Sequence, residues 1–118
     1  MAKKPREILN DFINGIGAVG KTNGAEVDAF MKLNGAIYNP GALDVKTKEL
    51  MSVGIGTFTR CEFCIVYHVF KALEAGATPE EIMEAAMVTV AFGAGPSMAY
   101  SVTLVKDSIE EFKNDFNK

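Results

Sequence analysis

The chain has 118 residues, enough for one small domain whose core takes about two-thirds of the unfolded surface out of water. Its net charge of −3 gives no electrostatic reason to expect nucleic acid or an acidic membrane as a partner. No apolar run approaches the roughly 20 residues needed to cross a bilayer, and the basic start Met1-Ala2-Lys3-Lys4 leads into no apolar signal core. These features point to a cytoplasmic protein, and a hydrophobic content of 48% leaves apolar surface to be buried between subunits.

In chain order, Pro5 suits a first helical position, and Ile8, Leu9, Phe12, Ile13 and Ile16 follow on one side of a helix. Gly15, Gly17 and Gly20 weaken its far end, and Lys21-Thr22-Asn23-Gly24 reads as a turn. A second helix is expected from about Ala25 to Tyr38, stopped by Asn39-Pro40-Gly41. The next segment, about Asp44 to Thr59, carries conflicting signals. Asp44 suits a cap, yet Val53, Ile55, Thr57 and Thr59 alternate with Ser52, Gly54, Gly56 and Phe58 as a strand would. No other convincing strand exists to pair with it, so it is read as a helix in which Gly54 and Gly56 let a neighbour approach.

A fourth helix begins near Cys61 and ends at Ala75-Gly76, where the glycine suits a left-handed cap. Thr78-Pro79-Glu80-Glu81 is a capping box, and its helix is expected to run through Ile82, Met83, Ala86, Met87 and Val90 to Phe92-Gly93. After Gly95-Pro96 a last helix carries the stripe Val102, Val105, Ile109, Phe112 and Phe116, either core or an oligomer seam. Gly93-Ala94-Gly95-Pro96 lacks the lysine and hydroxyl of a phosphate loop and reads as a sharp turn between helices. The fold class expected is all-α, with five to six helices in one domain over residues 1–118.

Both cysteines and the only histidine fall within Cys61-Glu62-Phe63-Cys64-Ile65-Val66-Tyr67-His68. On a helix, Cys61, Cys64 and His68 would share a sector of about 60°. Two thiols and an imidazole on one face suggest thiol redox chemistry first and metal binding second. The alternative for each residue is plain packing: cysteines are common in cores, and a lone histidine is often only a hydrogen-bonded structural group. A zinc site usually draws two ligand pairs from separate elements, and no second Cys/His pair exists here. Phe63 and Tyr67 suit an apolar wall around the thiols or a subunit contact.

Glu49, Cys61-x-x-Cys64-x-x-x-His68 and Ala72-Leu73-Glu74-Ala75-Gly76-Ala77-Thr78-Pro79-Glu80-Glu81-Ile82 together resemble one family. It is the alkylhydroperoxidase D-like branch of the carboxymuconolactone decarboxylase family. The resemblance is close from about Asp44 to Phe92 and rests on pattern alone in the flanking helices. It implies an all-α homo-oligomer, commonly a trimer or hexamer, that reduces hydroperoxides with two cysteines, no cofactor and no metal. Cys64 would match the peroxidatic cysteine, Cys61 its resolving partner, and Glu49 and His68 the proton relay. A thiol-bearing donor, which the sequence does not name, would restore the pair. Phe63 departs from the pattern, because the best-known peroxidase members carry a second histidine there; this bears on the efficiency of peroxide turnover and on the donor. The alternatives are lactone decarboxylation, whose branch lacks the cysteine pair, a disulfide reductase or relay using the same residues, and a non-catalytic scaffold.

Overall fold

The computed structural model describes residues 3–117; Met1, Ala2 and Lys118 lie outside the described residues, and with them the first two positions of the basic start. Seven α-helices follow one another: α1 (Pro5–Val19), α2 (Gly24–Tyr38), α3 (Val45–Thr59), α4 (Glu62–Glu74), α5 (Pro79–Val88), α6 (Val90–Tyr100) and α7 (Lys106–Phe112). A π-helical turn, Ser101–Val105, joins the last two. No strand occurs among the described residues, in keeping with the all-α expectation.

The doubtful third segment is a helix because its ends are chemically fixed. The Asp44 carboxylate accepts the Thr47 N–H at 2.8 Å, satisfying a donor that has no partner inside the helix. At the other end Arg60 turns left-handed at φ 58° and stops the helix. The strand-like alternation loses because its glycines are needed elsewhere. A Cβ on Gly56 would sit 3.1 Å from Cys64 Cβ and 3.2 Å from Ile65 N, so the bare backbone is what lets α4 lie against α3.

The fourth helix lies at the centre of the fold, packed on α3, α1 and α7. Ile65, Val66, Val69 and Ala72 are completely buried, meeting Val53 of α3, Ile82 and Ala86 of α5, and Phe112 of α7 in one core. Burying each large aliphatic chain stabilises the fold by about 1.5–3 kcal/mol before entropy is counted. Gly76 adopts φ 95° just past α4, as its sequence position predicts. The Thr78 hydroxyl then accepts the Glu81 N–H at 3.1 Å while the Glu81 carboxylate accepts the Thr78 N–H at 2.9 Å.

Two expectations need correction. The fifth predicted helix does not run to Gly93. It breaks at Thr89, whose hydroxyl bonds back to the Ala86 carbonyl at 2.6 Å, and α6 starts at Val90. The sharp turn expected at Gly93-Ala94-Gly95-Pro96 is present as a kink at Ala94, φ 49° and ψ −127°, where two helical stretches of α6 meet. The C-terminal stripe is also interrupted. Val105, Ile109 and Phe112 are core, but Val102 points outward because the π-turn inserts a residue and shifts the phase. Phe116 lies beyond α7, its ring 5.0 Å from Phe70.

Candidate active site

The site forms where α3 hands over to α4. After the left-handed Arg60, Cys61 takes an extended backbone, φ −93° and ψ 103°, and caps α4. It therefore stands just before the helix, where the sector estimate placed it inside. Its sulfur accepts the Cys64 N–H at 3.2 Å. The two cysteines are joined as a disulfide, with Cα atoms 5.2 Å apart. Unpaired N–H groups at a helix start favour negative charge, so both sulfurs sit where a thiolate is stabilised.

One turn further on, His68 Nδ1 lies 2.7 Å from Glu49 Oε1. Glu49 is 2% exposed, and the His68 side chain 16%. The carboxylate can only accept, so Nδ1 carries the proton and Nε2 is left as the imidazole's free nitrogen. Residues 19 positions apart are thus brought into one part-buried pair by the close contact of α3 and α4.

Two aromatic rings frame the imidazole. Tyr38, at the end of α2, stacks on it with centroids 5.7 Å apart and planes 25° apart. Tyr67 meets it edge-on at 5.1 Å, and Phe12 of α1 packs against Tyr67 at 5.4 Å. The Tyr38 hydroxyl bonds to Ser52 Oγ, and Ser52 in turn donates to the Lys48 carbonyl at 2.8 Å. Lys48 Nζ donates to the carbonyls of Ile37 and Asn39 at 2.8 and 2.7 Å, placing a cation at the C-terminus of α2. Burial pushes the Tyr38 phenol above its ordinary pKa, and the nearby Glu49 charge acts in the same direction.

A cavity of about 430 Å³ opens over this pair between α1, α2 and α4. Cys64 and His68 are in its wall, with Phe12, Ile16, Phe30 and Met31 opposite and Phe63 and Tyr67 beside them. Cys61 and Glu49 are not in that wall; Cys61 is bonded to Cys64, and Glu49 is hydrogen-bonded to His68. The four predicted residues therefore divide into two that face the cavity and two that support them. Among the described residues no group of three or more His, Cys, Asp or Glu side chains is placed to hold a metal ion.

Tyr38, Ser52 and Lys48 were not legible as site residues in the sequence. Their only signal is that 48, 49 and 52 share one face of α3, which points to a site only once α2 is known to lie there.

Comparison with known proteins identifies the family. The sequence profile of the carboxymuconolactone decarboxylase family matches residues 25–107. A member of that family from Legionella pneumophila has the same fold, with a TM-score of 0.88 and 30% identity over 93% of this chain and 97% of its own. A Thermotoga maritima member superposes with a TM-score of 0.70 at 32% identity, covering 91% of this chain and 97% of its own. An uncharacterised cox-locus protein of Paracoccus denitrificans is 41% identical over 87 residues, 71% of this chain and 78% of that protein. Profile, fold and sequence agree over most of the chain, and it belongs to the carboxymuconolactone decarboxylase family.

Proposed function

We propose that this chain is an alkylhydroperoxidase D-like thiol oxidoreductase that reduces hydroperoxides at Cys64. The observation that carries the reading is that Cys64 and His68 share a cavity wall while Glu49 holds the far side of the imidazole. In the reduced protein His68 Nε2 takes the Cys64 proton. The thiolate attacks one peroxide oxygen, the O–O bond breaks, and the other oxygen leaves as an alcohol carrying the proton. Cys64 is now a sulfenic acid. Cys61 attacks that sulfur, water leaves, and the Cys61–Cys64 disulfide remains. A dithiol donor returns two electrons and two protons by exchange. No cofactor or metal enters the cycle. The pairing of the two cysteines in the structure fits its oxidised end point.

The cavity walls favour an organic hydroperoxide over hydrogen peroxide, since an apolar body gains from burial there. Phe63 holds the position of the family's second histidine, so His68 alone serves both proton steps. An antioxidative response has been suggested for the Thermotoga maritima relative, in line with this reading. A reducing compartment such as the cytoplasm would keep the cycle supplied. Ile55, Phe58, Val88 and Phe92 form an exposed apolar face, which supports a homo-oligomer. No helix among the described residues is long and apolar enough to cross a membrane.

The test is consumption of cumene hydroperoxide with dithiothreitol by wild type, Cys64→Ser and Cys61→Ser. Turnover is expected in wild type and absent in Cys64→Ser. Cys61→Ser, reduced beforehand and freed of dithiothreitol, should consume about one equivalent and retain a sulfenic acid that dimedone traps. A wild type no faster than dithiothreitol alone sinks the peroxidase reading and leaves a dithiol–disulfide relay. Lactone turnover that survives loss of both cysteines would move decarboxylation ahead.

A further inference from the structure

We infer that Tyr38 is the positioning residue of the imidazole, and that through it the end of α2 is part of the proton relay. The inference rests on the reading of His68 as the base that serves Cys64. A hydrogen bond from Glu49 fixes one atom of the ring but leaves rotation about that bond. The stacked Tyr38 ring removes this freedom by covering one face, and the edge of Tyr67 closes another side. Only Nε2 then remains for the cavity.

The hydrogen bonds give the stack a direction. Ser52 has one hydroxyl proton and donates it to the Lys48 carbonyl. Tyr38 must therefore be the donor in its bond to Ser52 Oγ. A phenol that donates here is held neutral and in one orientation. Ser52 stands three residues after Glu49 on α3, so one short stretch of helix holds both the partner of the imidazole and the partner of the ring stacked on it. This matters because α2 has little else to hold it: none of its residues is fully buried. Its C-terminal end is tied down by Tyr38 and by the Lys48 ammonium, while Phe30 and Met31, further up the same helix, roof the cavity. Displacing the roof therefore loosens the imidazole.

The reduced full chain offers a direct readout, because it contains one histidine and its ring signals need no assignment against others. Imidazole ¹⁵N shifts report the tautomer, ring-proton shifts report the stack, and the pH profile of Cys64 alkylation in a Cys61→Ser background reports the relay. The titratable groups facing the imidazole are Glu49 from α3, Tyr38 from α2, and Cys64, Tyr67 and Lys71 from α4. In wild type the Nδ1–H tautomer and an upfield ring-proton shift are expected. Tyr38→Leu should abolish that shift, mix the tautomers, slow alkylation by about tenfold and move its pH midpoint. Tyr38→Phe and Ser52→Ala each remove the same hydrogen bond. They should show equal, smaller losses that do not add in the double variant. Wild-type shifts and alkylation in Tyr38→Leu would overturn the inference. Should that variant not fold, the absence of any loss in both Tyr38→Phe and Ser52→Ala would do so. His68→Gln separates the levels: slow alkylation there with a wild-type Tyr38→Leu sinks the role of Tyr38 alone, whereas unchanged alkylation in His68→Gln sinks the relay as well.

Discussion

Glu49 and His68 meet at 2.7 Å with the carboxylate almost fully enclosed, and the two ends of that contact are not energetically equivalent. A buried carboxylate that loses its hydrogen-bond donor is left unsatisfied, whereas the part-buried imidazole can find another partner. His68→Leu is therefore expected to cost about 2–3 kcal/mol of stability. Glu49→Gln, which keeps an acceptor in place, should cost about 1 kcal/mol. Urea unfolding of the two variants checks the order; equal losses would mean that the carboxylate finds another donor when His68 is removed.

The contact of α3 with α4 leaves little room for a methyl group at Gly56. Gly56→Ala gains helix propensity of up to about 1 kcal/mol, but its Cβ would press on Cys64 and Ile65. We expect a net loss of about 1–3 kcal/mol from overpacking. The damage should also reach the chemistry, because the same contact brings Glu49 to His68. Thermal unfolding and peroxide turnover should fall together in this variant.

The start of α5 makes a pH-dependent contribution. Glu81 is held below its ordinary pKa, first by the Thr78 backbone N–H and then by the Lys46 ammonium at 3.0 Å. A depressed carboxylate stabilises the fold above its unfolded pKa and loses that effect as pH falls through the folded value. Asp44, lowered by its bond to Thr47, behaves the same way. Tm should therefore fall as pH drops below the usual carboxylate range, and an Asp44→Asn, Glu81→Gln double variant should show a shallower fall. A double variant with the wild-type slope would assign acid sensitivity elsewhere.

Ser108 gives a prediction of opposite sign to most core substitutions. Its hydroxyl is fully buried and has no hydrogen-bond partner. Removing a stranded polar atom without changing the packing around it should help, so Ser108→Ala is expected to stabilise by about 1 kcal/mol. A lower Tm in that variant would mean that the hydroxyl makes a bond in solution.

How far the sequence revealed this arrangement depended on the range of the interactions. The starts of α3 and α5 were legible because Asp44, Thr78 and Glu81 act within one helical turn. The thiol pair and His68 were legible for the same reason, being eight residues of one segment. Glu49 was reached only through the family pattern, since its partner lies across a helix contact that no local spacing encodes. Tyr38 carried no signal, because its role exists only after α2 has folded back over α4. The break at Thr89 was missed because the apolar pattern continues through it, and the outward turn of Val102 because a π-turn shifts phase without changing composition.

The glycine contact beneath Cys64 and the sparsely anchored α2 above it divide the site into a floor and a roof with different tolerances to change. Beneath, a single added carbon presses on Cys64 and Ile65. Above, Phe30 and Met31 sit on a helix that contributes no fully buried side chain, so their exchange costs the core little. Substrate range can therefore drift through substitutions in α2 while the redox pair is preserved, provided that Tyr38 stays in place. A lineage built on this scaffold can change what its cavity admits by changing its roof and still be recognised by its floor.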